Sequence, residues 1–152
     1  MNKQKQFEDS FAEIQAEWVR LCLEYVPDAR KIFMYASCEQ RTYSFDAFYM
    51  IDDEVVMTHK VNTVPGHSYD DSKDRQMDLL VAGTEKIVEM HGLHEEYGRE
   101  MPTEMKLIYD ATGNSLEGEY SYELKYSNTA DTTNDDIFDE WFEEVKQKEN
   151  YL

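Results

Sequence analysis

Four histidines, two cysteines and an excess of carboxylates are the side chains of this chain with chemistry to offer. The tightest grouping is His91, His94 and Glu95, residue types that ligate metals when they converge on one point. His91 closes a helical pattern and His94 lies beyond Gly92, so the two do not need to share a face. A cationic surface pair near a helix C-terminus, where the dipole favours positive charge, is the better account of them. His59 and His67 have no partner at ligand spacing. Cys22 and Cys38 are sixteen positions apart, form no CxxC, and lack a readable histidine and acid arrangement for nucleophilic catalysis. No GxSxG elbow, P-loop or dinucleotide fingerprint occurs, and six glycines leave little material for one. Carboxylates are so numerous that any acid–base dyad could be drawn, so none is informative. The expectation is a chain without catalytic residues, metal or cofactor, acting by binding.

The elements that would position a binding surface are legible from periodicity. Phe7, Phe11, Ile14, Trp18, Leu21, Cys22 and Tyr25 recur at helical spacing, with charged residues between them, and Pro27 stops the pattern. Three aromatic and β-branched runs follow, Lys31 to Cys38, Tyr43 to Ile51 and Val55 to Val61, with short polar breaks that suit hairpins. In the middle run Tyr43, Phe45, Ala47, Tyr49 and Ile51 share one face and Ser44, Asp46, Phe48 and Met50 the other, with one face expected to carry the core. Asn62 to Asp71 reads as a loop. Asp71 or Ser72 then caps a second helix with Met77, Leu80, Val81, Ile87 and Val88 as its stripe and Gly92 as its stop, and Gly83 weakens it locally. Thr103 to Asp110 and Leu116 to Ser127 read as a hairpin, the second strand carrying Tyr120, Tyr122, Leu124 and Tyr126 on one face.

A Thr- and Asp-rich linker leads to a last helix from about Asp135, capped by Asn134 or Thr133. Ile137, Phe138, Trp141, Phe142 and Val145 gather on one side of it. Asp136, Asp139, Glu140 and Glu143 gather on the opposite side and are the candidate partner-binding residues. The fold class expected is α+β, an antiparallel sheet of about five strands packed with a long N-terminal, a central and a C-terminal helix. With no internal repeat or boundary, residues 1–152 read as one domain.

Composition sets the kind of partner. Thirty-three Asp plus Glu against fifteen Lys plus Arg leave a formal charge of −18, a field that repels phosphate backbones and attracts cationic surfaces. Direct nucleic-acid binding is therefore not expected. No segment is apolar enough to span a bilayer, and the start Met1-Asn2-Lys3-Gln4-Lys5 leads into no signal-peptide core. With two unpaired cysteines, cytoplasmic residence is expected, a leaderless export route being left open. Exposed sheet edges leave open a homodimer or a strand accepted from a partner.

The C-terminal third carries a resemblance. Pro102-Thr103-Glu104-Met105-Lys106-Leu107-Ile108-Tyr109-Asp110, a Gly-containing turn, Glu119-Tyr120-Ser121-Tyr122-Glu123 and then an acidic helix with Glu140-Trp141-Phe142 resemble the YezG-like family of antitoxin or immunity proteins. The pattern covers most of the chain in element order and about Pro102 to Val145 in residues. The resemblance implies an α+β fold and neutralisation, by binding, of a cognate secreted toxin of the LXG polymorphic class, often a nuclease. No catalytic residue is carried over. The competing expectations are a small acidic adaptor without a toxin partner, and a hydrolase with an unrecognised site.

Overall fold

The computed structural model of the chain describes residues 2–150; residues 1, 151 and 152 of the expected domain lie outside the described residues. Helix α1 (Lys3–Tyr25) starts at Asn2, whose side chain accepts the Gln4 amide at 2.8 Å, and buries Phe7, Ile14, Gln15, Trp18, Cys22 and Tyr25. It ends before Pro27, as the sequence requires. Strands β1 (Lys31–Glu39), β2 (Thr42–Ile51) and β3 (Glu54–Met57) follow, then a 3-10 turn (Thr58–Thr63), α2 (Lys73–Glu96), β4 (Glu104–Asp110), β5 (Ser115–Ser121) and α3 (Asn134–Asn150).

The five strands form one antiparallel sheet in the order β3-β2-β1-β4-β5. Both of its faces are covered, where one buried face was expected. Ile32, Met34, Ala36, Phe45, Ala47, Tyr49, Met105 and Leu107 pack under α1 and α2. Phe33, Tyr35, Phe48, Met50 and Val55 pack under Phe138, Trp141 and Phe142 of α3. That double burial explains why β1, the central strand, reads as a nearly unbroken apolar run instead of an alternating one.

The β1–β2 hairpin closes on Gln40 and Arg41, both left-handed at φ 47° and 67°. Two such residues make the tight turn whose twist matches the strands. Strand β3 is shorter than the Val55–Val61 run. Thr58 Oγ1 donates to the Ala47 carbonyl at 2.6 Å, taking an acceptor at the strand's end. The chain then turns inward and buries Val61 and Val64.

Helix α2 departs from its expected stripe. Ser72 is the cap, but the buried residues are Leu79, Gly83, Ile87, Met90 and His94, whereas Met77, Val81 and Val88 are exposed. Gly83 occupies the centre of the true stripe and contributes no apolar side chain, so a reading weighted by side chains drifts off it. The helix also runs through Gly92 to Glu96, and Gly98 at φ +63° takes the left-handed position after it. No described helix is long and apolar enough to cross a membrane.

Candidate functional site

Helix α3 begins with a reciprocal cap. Thr133 Oγ1 accepts the Asp136 amide at 3.3 Å, while Asp136 Oδ2 accepts the Thr133 amide at 2.9 Å. Asp135 and Asp136 in the first turn also face the positive end of the helix dipole. The helix is seated by aromatic contacts: Phe48 lies 5.0 Å from Trp141 at 72° and 5.2 Å from Phe142 at 87°, both edge-to-face, and stacks on Phe33 at 4.6 Å.

This seat turns the four predicted residues outward. Asp136, Asp139, Glu140 and Glu143 are all exposed on one helical face. They are not equivalent, because Asp136 is spent on the cap. The side chains of Asp139, Glu140 and Glu143 take part in no hydrogen bond or ion pair among the described residues. The acidic surface also extends further than the helix, through a residue that sequence reasoning placed only on a strand face. Asp46 of β2 borders a cleft with Asp135, Asp139 and His59. Burial first, and then the Asp135 and Asp139 charges, push its carboxyl up to about 6, against the pull of the Ala47 amide. Strand register alone predicts the face of Asp46, not its nearness to a helix ninety residues later.

The segment from β5 to α3 is held by a buried carboxylate. Glu39 accepts the amides of Lys125 at 2.8 Å, Tyr126 at 3.4 Å and Ser127 at 3.1 Å, and the Ser127 hydroxyl at 2.5 Å. Burial raises its carboxyl, and these donors outweigh burial, so the net displacement is downward. Tyr126 is drawn in and its hydroxyl meets Ser37 Oγ at 2.6 Å. The strand expected to reach Ser127 therefore leaves the ladder after Ser121, with Tyr122 and Leu124 exposed and Tyr126 buried. Glu39 is saturated by donors and acts as an anchor, not a base.

The histidines separate. His94 is buried against Phe7, its Nδ1 donating to the Met90 carbonyl at 2.8 Å, and burial holds it below the ordinary imidazole value. His91 faces Tyr43, with the hydroxyl 2.8 Å from Nδ1, and its Nε2 lies 3.4 Å from Glu95. His67 has partners that spacing did not reveal: Asp52 at 2.8 Å and Asp28 at 3.1 Å, with the Tyr69 ring stacked on it. Those carboxylates raise its pKa and contact both ring nitrogens, so His67 ties three loops together.

Cys22 is buried and pushed up to about 12, while burial with the Glu39 charge raises Cys38, whose Sγ lies 4.0 Å from His91 Nδ1. Among the described residues no group of three or more His, Cys, Asp or Glu could hold a metal ion. No buried side-chain polar atom there lacks a partner. Compared with known proteins, the chain matches no family model and no curated protein.

Proposed function

We propose that the chain is an immunity protein that binds a cognate toxin and neutralises it, with the acidic face of α3 as the contact surface. The toxin is a protein with a basic surface, and a nuclease fits best, because the groove that holds a phosphate backbone must be cationic. Inhibition on this reading is by occlusion and involves no catalysis. It takes place in the cytoplasm, where such a toxin meets its substrate.

The observation that carries the reading is the state of Asp139, Glu140 and Glu143. They stand on a helix fixed from beneath by Phe138, Trp141 and Phe142, and among the described residues no cation forms an ion pair with them. A helix already folded and seated adds no backbone ordering on binding, and uncompensated charge on it accelerates encounter with an oppositely charged partner. The element order and the residues from Pro102 to Val145 that resemble YezG-like proteins support the same reading.

The test is a charge reversal that leaves the cap intact: Asp139→Lys, Glu140→Lys and Glu143→Lys together, with Asp136 retained. A pull-down from the native cell, read by mass spectrometry, is expected to return with the parent a basic protein whose toxicity the chain suppresses on co-expression. Association of that protein with the parent should slow as salt rises, and the reversed variant should associate slowly at all salt concentrations. Equal rates and equal salt slopes for the two would place the contact off α3.

A further inference from the structure

We propose that the free edge of β5 is a second docking surface, one that accepts an extended protein segment in which basic residues alternate with apolar ones. Ala111 donates its amide to the Arg30 carbonyl at 3.0 Å, and Cys38 donates to Thr103 at 2.9 Å. These bonds set the phase of the antiparallel ladder: even-numbered residues of β1 bond towards β4, so even-numbered residues of β4 bond towards β5. Leu116, Gly118 and Tyr120 are therefore left with their amides and carbonyls pointing outward. The strand is the last of the sheet and exposed from Ser115 to Tyr120, so no element among the described residues covers that row.

The two sides of this edge differ in chemistry. On the side of α1, Leu116 and Tyr120 form an apolar shelf. The Tyr120 ring meets Phe11 at 5.9 Å, and its hydroxyl accepts from Gln15 Nε2 at 2.8 Å. On the side of α3, Glu117 and Glu119 project two residues apart, and neither side chain takes part in an ion pair or hydrogen bond among the described residues. They border a cleft of about 590 Å³ beside Trp141 and Glu144. Two cations share that cleft: Lys148, and Lys106, the cross-strand partner of Glu119, which is turned towards Glu104 at 3.9 Å and lies 5.6 Å from the Trp141 ring centre.

An added strand places its side chains directly beside those of β5, at about 5 Å between Cβ atoms. Arg or Lys opposite Glu117 and Glu119, with Val, Ile or an aromatic residue opposite Leu116 and Tyr120, satisfies both sides at once. A second copy of the chain does not. Antiparallel pairing of two β5 strands about Gly118 would set Glu117 of each against Glu119 of the other, gathering four carboxylates on one face. Charge therefore selects a different, basic segment as the occupant. The inference stands on β5 alone and does not require the partner to be a toxin.

The probe is a capped heptapeptide alternating arginine with valine, titrated into the isotope-labelled chain while amide exchange is followed. Protection is expected at Leu116, Gly118 and Tyr120, with weaker binding of a peptide of the same composition in scrambled order. Glu117→Lys with Glu119→Lys should weaken the arginine–valine peptide at least about tenfold and let a glutamate–valine peptide bind. Leu116→Pro, which removes one outward amide without touching the β4 ladder, should also weaken it. Reversing Asp139, Glu140 and Glu143 should leave the peptide's affinity within about twofold, which separates this surface from α3. Equal binding of the scrambled peptide, indifference to the Glu117 and Glu119 reversal, or protection confined to α3 would each overturn the proposal. Protection of the same three amides by self-association without peptide would overturn it in favour of a second copy.

Discussion

Trp18 of α1 donates its indole N–H to the carbonyl of Gly83 in α2 at 3.0 Å, through a gap that exists because residue 83 has no side chain. The Phe45 ring fills the remaining space, and a Cβ on Gly83 would fall 2.1 Å from its Cδ2. Gly83→Ala is therefore expected to destabilise the fold by about 1–3 kcal/mol through overpacking, although the same change in an open helix is favourable. Gly92 provides the control. It lies in the same helix with nothing within 4 Å of its added Cβ, and Gly92→Ala should stabilise by up to about 1 kcal/mol. Urea unfolding of both variants checks the pair; stabilisation by Gly83→Ala as well would mean that Phe45 packs less closely on Gly83 than described.

Trp141→Ala should destabilise by about 3–5 kcal/mol, because the ring is buried against Phe33, Tyr35 and Phe48. Thermal unfolding measures it. A variant that melts with the parent would make Trp141 a surface residue.

Asp46 ties stability to pH. Its carboxyl is raised in the fold from 3.8 to about 6, so the folded chain holds a proton that the unfolded chain has already released. Stability from this group is whole below about pH 4 and falls as pH rises through 6. Asp46→Asn, which keeps an acceptor for the Ala47 amide, should therefore stabilise the chain at pH 7 by about 1–3 kcal/mol and have little effect at pH 3.5. Denaturation at the two pH values decides it, and an equal effect at both would remove Asp46 as the titrating group.

The elements that alternate or repeat cleanly were legible before the structure. The α1 stripe, the two faces of β2 and the aromatic side of α3 follow from side-chain period alone, as does the outward acidic face of Asp139, Glu140 and Glu143. Three features were not legible, for separate physical reasons. The α2 stripe is centred on Gly83, which carries no hydrophobic signal. The ends of β3 and β5 are set by long-range acceptors and donors, the Ala47 carbonyl and the Glu39 carboxylate, which local propensity cannot register. Asp46 joins the acidic surface only because the sheet brings β2 beneath α3.

The central position of β1 has a consequence for biosynthesis. Its first edge is occupied by β2 as soon as the two-residue turn at Gln40 and Arg41 closes, but its second edge waits for β4, about 65 residues further along the chain. At about 5–20 residues per second the ribosome leaves that apolar edge open for several seconds. A chain ending at residue 103 should accordingly aggregate in a light-scattering assay where the full chain stays monodisperse. The β4–β5 hairpin that offers a free edge in the finished molecule is thus also the piece that closes the more hazardous one during synthesis.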